Sequence, residues 1–358
     1  MKSVSEIVFG GIFMKPKGIT IADVAQRAQV SPASVSRYLN GVEGNLSAET
    51  AQRIAQVIED LGYRPNAWAR SLKTQRSGLI AAVVADLSNS YVPAVLHGIE
   101  NITNSAGFSL LIANAQNNPD HESYLVERLL NQRVEGILLQ PSSNKLTPSL
   151  RSLITNNIPL VLIDRLMDDV DDWDMVGLDN AGAMHLALKH LESQGYRKIV
   201  YVTDPPDEVS SRREREQTVL SSYAQWEALQ IFVRRDNDPS GLIAIIDQML
   251  AHSNDESTAV VCSNAVTALY AVKAIELCGC RIPQDMGLIM IDDPDWAPFV
   301  LGGITSVAQP TFDLGNQAAQ LLVDKIQQTG ISSPSHTRLS GSLVIRHSTI
   351  NSHRLKKE

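Results

Sequence analysis

Thr20-Ile21-Ala22-Asp23-Val24-Ala25-Gln26-Arg27-Ala28-Gln29-Val30-Ser31-Pro32-Ala33-Ser34-Val35-Ser36-Arg37-Tyr38-Leu39-Asn40-Gly41 decides how the rest of the chain is read. Ile21, Val24, Ala25 and Ala28 recur at helical spacing and form one apolar stripe. Thr20 suits the N-cap of that helix, because its hydroxyl can accept an unpaired amide proton of the first turn. Gln29-Val30-Ser31 then breaks the period. Ser31 serves as a second N-cap, and Pro32 stands where a helix has no use for an N–H. Val35 and Leu39, one turn apart, bury the second helix, and Gly41 fits a left-handed cap after it. With the small Ala25 at the crossing point, the pattern predicts a helix-turn-helix. The exposed face of its second helix carries Ala33, Ser34, Ser36 and Arg37. Short hydroxyls let a helix lie close to phosphates, and an arginine can donate two hydrogen bonds to guanine. A two-helix hairpin with a merely solvated face is the plainer alternative.

The following residues bear on that choice. Ser47 to Leu61 has the pattern of a third amphipathic helix (Ala51, Ile54, Ile58, Leu61), closed by Gly62. Then comes Tyr63-Arg64-Pro65-Asn66-Ala67-Trp68-Ala69-Arg70-Ser71-Leu72-Lys73. The run from Ile19 to Lys73 closely resembles the DNA-binding headpiece and hinge of the lactose-repressor and galactose-repressor (LacI/GalR) family. The resemblance implies base reading by Pro32, Ala33 and Arg37, with Thr20, Ser31, Ser34, Ser36 and Asn40 on phosphates. It further implies a hinge segment, with Asn66, Ala69 and Leu72 as its DNA-facing residues, that turns helical on the operator. Leu72 matches the leucine that wedges into the minor groove, an insertion that costs a few kcal/mol of unstacking and kinks the duplex. Trp68 is larger than the residue expected where paired hinges meet.

Charge is unevenly distributed. The chain has 358 residues and a net charge of −8, yet residues 14–77 carry +4 and residues 78–358 carry −12. A cationic head on an acidic body suits docking on phosphates. The three cysteines, Cys262, Cys278 and Cys280, make no disulfide framework, and Cys-Gly-Cys lacks zinc spacing. No metal and no cofactor are expected. Asp168-Asp169-Val170-Asp171-Asp172-Trp173-Asp174 lacks the glycine and terminal glutamate of a calcium loop. No apolar run approaches a membrane span, and Ile7–Phe13 is short for a signal peptide. Residues 1–14 are read as a tail or an upstream start.

From Leu79 onward, apolar β-rich runs alternate with helical patterns, which predicts parallel sheets covered on both faces. Strands are expected at Leu79–Val84, Ser109–Ala113, Gly136–Leu139, Leu160–Ile163, Ile199–Val202, Thr258–Cys262 and Gly287–Ile291. Helices are expected near 91–106, 120–132, 146–156, 180–194, 209–229, 240–252, 264–279 and 312–328. Looser family resemblance extends to about Arg346 through Ile163-Asp164-Arg165, Val176-Gly177-Leu178-Asp179-Asn180, Gly195-Tyr196-Arg197-Lys198-Ile199, Arg281-Ile282-Pro283-Gln284-Asp285 and Ile304-Thr305-Ser306-Val307-Ala308-Gln309-Pro310. It implies a fold class of an N-terminal all-α helix-turn-helix headpiece (15–64), a hinge (65–77), and an α/β two-lobed periplasmic-binding-protein-like body (78–346). The first lobe is placed at 78–170 and 308–332, the second at 175–303 and 333–346, with crossings near 165–180, 303–310 and 330–340. Residues 347–358 are read as a tail.

Ligands of such bodies sit between the lobes, outside the carboxyl ends of the strands. Position-by-position resemblance implies effector contacts by Asn89, Ser90, Tyr91, Ser142, Ser211, Arg215, Asn264 and Asp292. The cluster Arg212, Arg213 and Arg215 points to an anionic ligand such as a gluconate-type sugar acid; the alternative pairs Arg212 and Arg213 with Glu214 and Glu216. The expectation is a cytoplasmic, non-enzymatic regulator, a repressor, binding a near-palindromic double-stranded operator as a homodimer and gated by a small sugar or sugar acid. The alternatives are a solute-binding protein with the same body, or a sugar-acting enzyme using Asp292, Asp293 and Asp295. The first requires an export signal and leaves the headpiece unexplained. The second lacks a phosphate loop, a dinucleotide fingerprint and a nucleophile elbow.

Overall fold

The computed structural model describes residues 19–39, 46–63, 76–168, 170, 173–251, 258–328 and 333–350. The chain divides into two compact units, Met1–Ser77 and Gly78–Glu358. The first contains α1 (Ile21–Arg27), α2 (Pro32–Leu39) and α3 (Ala48–Leu61). Val24, Ala25, Ala28, Val35, Ile54 and Val57 are buried together, so the apolar stripes identified by spacing do meet in one small core. Gly62 closes α3 in the left-handed region, as a helix stop without a Cβ permits.

The second unit holds two six-stranded sheets. The first has the order β11-β5-β4-β3-β1-β2. Its strands are β1 (Leu79–Val84), β2 (Ser109–Asn114), β3 (Gly136–Leu139), β4 (Leu160–Ile163), β5 (Asp174–Leu178) and β11 (His336–Leu339). The second has the order β12-β10-β9-β8-β6-β7. It is built from β6 (Lys198–Thr203), β7 (Ala228–Val233), β8 (Thr258–Cys262), β9 (Gly287–Ile291), β10 (Thr305–Ala308) and β12 (Ser342–Val344). All neighbours are parallel except β10 and β12. The helices are α4 (Tyr91–Ser105), α5 (Pro119–Asn131), α6 (Pro148–Thr155), α7 (Asn180–Ser193), α8 (Ser210–Ser221), α9 (Ser240–Ala251), α10 (Ala265–Leu277) and α11 (Thr311–Gln327). Each sheet has a separate apolar cluster on each face, which is why β3, β4, β8 and β9 are buried at every position.

Helices α4 and α11 pass so closely that a Cβ on Gly98 would stand 2.1 Å from the Phe312 carbonyl oxygen. One on Gly315 would stand 2.1 Å from that of Val95. Glycine is what lets these backbones touch.

The lobe boundaries differ from the sequence expectation. Residues 175–178 and 336–339, expected in the second lobe, belong to β5 and β11 of the first sheet. A five-residue strand containing Asp174 and Gly177 gives no apolar run to read, although all five positions are buried. The chain therefore crosses between sheets after Leu178, after Ala308 and after Leu339. The helix expected over 209–229 ends at Ser221, and β7 follows after a short turn at Tyr223–Gln225. As an edge strand, mostly half-buried, β7 lacks the continuous apolar signature of its neighbours.

Candidate effector cleft and DNA-reading surface

In the first unit, Thr20 caps α1 with a reciprocal box. Its backbone N–H donates to Asp23 Oδ2 at 2.7 Å, Asp23 N–H donates back to Thr20 Oγ1 at 3.4 Å, and the Thr20 hydroxyl also donates to Asp23 Oδ2 at 2.7 Å. Gln29 makes the turn with φ 53°. Ser31 Oγ accepts the Ser34 N–H at 3.2 Å, which starts α2. Arg53 of α3 donates Nε–H to the Ala28 carbonyl at 2.9 Å and so ties the third helix to the end of the first. Val35 faces the core, which leaves Ser31, Pro32, Ala33 and Arg37 exposed and Ser34 and Ser36 half-buried. Arg37 forms no ion pair among the described residues. The hydroxyl of Thr20 is already engaged in its cap. Asn40, Asn66, Ala69 and Leu72 lie outside the described residues.

In the second unit, a cavity of about 250 Å³ is walled by both lobes. Asp86 follows β1, Gln140 follows β3, Arg165 follows β4, Asp204 follows β6, Arg234 and Arg235 follow β7, and Asn264 follows β8. All stand just outside the carboxyl ends of strands, the place where open α/β sheets bind ligands. Asn89 and Arg212 complete its polar wall. Asp204 is saturated by cations, with Arg234 at 2.6 Å and Arg212 at 3.5 Å. Asn264 donates to Asp204 at 3.3 Å while its own oxygen caps α10 through the Thr267 N–H. Arg165 is buried, donates to the Pro141 carbonyl at 2.9 Å and lies 3.6 Å from Asp164. Burial lowers the Arg165 pKa, and burial together with the nearby Arg165 charge brings Arg212 down to about 10.

A larger chamber of about 600 Å³ adjoins the start of α4 and is lined by Ser90, Tyr91, His97, Asp292, Asp293, Trp296 and Gln309. The Tyr91 hydroxyl is buried without a hydrogen-bond partner among the described residues. Burial first, then Asp164 and Asp292, push its pKa well up. Asp292 accepts the Ala265 N–H at 3.1 Å and the Gln309 amide at 2.5 Å. Burial raises its pKa, opposed by Arg215.

Among the residues expected at the effector site, Asn89 and Asn264 line the smaller cavity, and Ser90, Tyr91 and Asp292 line the larger. Arg215 lines neither; it braces Asn180 at 2.8 Å and the Ser263 carbonyl at 2.6 Å. Ser211 is buried on α8. Ser142 is buried after β3, its N–H held by Glu122 at 2.7 Å. The alternative, a pairing of Arg212 and Arg213 with Glu214 and Glu216, does not form among the described residues. Arg213 instead binds Asp168 at 2.5 Å, and Glu214 binds Arg338 at 2.7 Å. Arg213 thereby bridges the lobes, as do Lys145 with Glu208 at 3.3 Å and Ser210 with the Leu166 N–H at 2.7 Å. Arg165, Arg234 and Arg235 were not expected at the site. Their position after β4 and β7 is the available signal, and it is hidden for the last two because β7 is hard to recognise.

Two family models match the chain: bacterial regulatory proteins of the lacI family over residues 20–66, and a periplasmic binding protein-like domain over residues 188–349. The HTH-type transcriptional regulator PtxS of Pseudomonas putida is 37% identical over 331 residues, covering 92% of this chain and 96% of that one. The HTH-type transcriptional regulator KdgR of Bacillus subtilis is 32% identical over 333 residues, covering 92% and 97%. The fold matches the lac repressor dimer bound to operator and the anti-inducer ONPF, with a TM-score of 0.78 at 23% identity, covering 94% of this chain and 100% of that one. It also matches the transcriptional regulator CelR–cellobiose complex, with a TM-score of 0.66 at 25% identity and coverage of 92% and 99%. A helix-turn-helix unit joined to a two-sheet, periplasmic-binding-protein-like body, with relatives of this identity along nearly the whole length, makes the chain a DNA-binding transcriptional regulator of the LacI family, a family of regulators and not of enzymes.

Proposed function

We propose that this regulator is a repressor that binds a near-palindromic operator as a homodimer and responds to a small sugar or sugar acid lodged between its lobes. The observation that carries the reading is the polar cavity walled by both lobes at the strand ends, in a chain that also has an exposed reading helix. A ligand that touches both lobes favours the state in which they are closed, and it can shift the equilibrium only by its differential affinity for that state. Pro32, Ala33 and Arg37 read bases, the serines around them position the helix on phosphates, and the protein works in the cytoplasm on chromosomal DNA. Exposed Ile112 on the edge strand β2 and Phe299, 85% exposed, offer apolar surface for a second copy. A solved relative of this fold holds cellobiose, which supports a saccharide-sized ligand. Selection from random duplex with full-length protein, followed by release assays with sugars and sugar acids, tests the proposal. Enrichment of a palindrome, and its release by one ligand class, is expected; no preference over random duplex would overturn it.

A further inference from the structure

Three segments join the lobes, and they touch one another. Asp179 leaves β5, and its N–H donates to the Leu339 carbonyl at the end of β11 at 2.8 Å. Gly341, on the way to β12, lies against the end of β10. A Cβ there would stand 2.8 Å from Val307 Cγ1 and 3.2 Å from the Ala308 carbonyl oxygen. The same Cβ would stand 3.6 Å from Leu178 Cδ1, so all three crossings meet at this residue.

One carboxylate holds this junction from the side. Glu214 on α8 accepts from Arg338 Nη2 of β11 at 2.7 Å and from Asn180 Nδ2, at the start of α7, at 2.8 Å. Arg338 gives its other terminal nitrogen to the Leu178 carbonyl at 2.9 Å, at the end of β5. Asn180 is buried, and its amide oxygen accepts the Arg215 Nε–H at 2.8 Å. A carboxylate can only accept, so Glu214 fixes which way the Asn180 amide faces and turns its oxygen to Arg215. Helix α8 thus bears on the first lobe at two places. At the cleft rim, Ser210 holds the Leu166 N–H at 2.7 Å and Arg213 pairs with Asp168, joining residues that part when the lobes open. Glu214 instead grips a strand that enters a crossing one residue later, beside the axis, where opening moves little.

We infer that Glu214 is the positioning residue of the interlobe pivot. It pins the first and third crossings to α8, so that the lobes turn about a fixed axis and do not slide past each other. Hinge and shear are the two ways packed lobes move, and a charge-assisted bond across the joint suppresses the second. This role is independent of what the cleft binds.

Hydrogen exchange of full-length protein, read by mass spectrometry, is the test. In Glu214→Gln the segments spanning the crossings, 178–182 and 338–342, should exchange about tenfold faster, the loss expected for one charge-assisted hydrogen bond in a partly exposed pair. Segments in the sheet interiors, 136–139 and 258–262, should stay within about twofold of wild type. Arg338→Met should show the same local rise. The double variant should be no faster than the faster single one, because both remove one contact. Arg338→Lys keeps the charge but reaches Glu214 or the Leu178 carbonyl, not both, and should fall between. Asp168→Asn, which frees the rim alone, should leave the crossings at the wild-type rate. An unchanged rate at the crossings in Glu214→Gln or Arg338→Met, an equal rise across both sheets, or the same local rise in Asp168→Asn would overturn the assignment. The pair would then be idle, a general prop of the fold, or a mere gauge of lobe opening.

Discussion

Arg37 is exposed on α2, one residue beyond the half-buried Ser36 and two beyond the buried Val35, so its guanidinium is free for a base while its helix stays anchored. Pro32 and Ala33 can offer only apolar contact, so on the proposed reading Arg37 is the polar reader. Arg37→Ala should weaken the operator complex by about 1–3 kcal/mol and relax preference at one base pair only, as competition against single-site operator variants would show. A uniform loss across all variants would instead mark Arg37 as a phosphate contact. The serines around it behave differently. Ser31 and Ser34 are hydrogen-bonded to each other at 3.0 Å, so each can turn toward a phosphate only by sharing its hydroxyl.

At the scale of elements, the tightest joint is the crossing of α4 and α11. Gly315→Ala would drive a methyl group into the Val95 carbonyl, and the helices would have to part. A destabilisation of about 1–3 kcal/mol is expected, seen as a lower thermal unfolding midpoint with unchanged headpiece spectra. The strands β1, β3, β4, β8 and β9, buried at every position but the first of β1, were legible in sequence because an unbroken apolar run needs no partner to be recognised. Of the four edge strands, only β2 was. In β7, β11 and β12 most positions are only half-buried, so their pairing depends on tertiary context. Missing β7 had a cost at the site, because Arg234 and Arg235 are its carboxyl-end residues. Tyr91, Asn264 and Asp292 were readable from the family pattern around them. Arg165 and Arg235 come from different sheets, and nothing local in either stretch reveals that they share a wall.

Across the whole effector body, the lobes are held together at the cleft rim by polar groups. Hydrogen bonding from Arg213 lowers the Asp168 pKa, with a smaller pull from Asn144. A depressed carboxylate stabilises the bridged form above the ordinary aspartate range, and that contribution fades as pH falls through the depressed value. Asp168→Asn at neutral pH should therefore weaken effector binding in the same direction as strong acid, by less than about fivefold given the partial exposure of the pair. Calorimetry on wild type and variant at neutral and acid pH checks the sign: the variant should lose its pH dependence in the acid limb. The three crossings between sheets carry a separate consequence for biosynthesis. β11 closes the border of one sheet beside β5, β12 closes the border of the other beside β10, and only residues 340 and 341 separate them. A nascent chain arrested between residues 308 and 336 would hold two unsealed layers, each with a raw border of unpaired amides and carbonyls. Both lobes are therefore sealed by the same short stretch, residues 336–344, as it emerges.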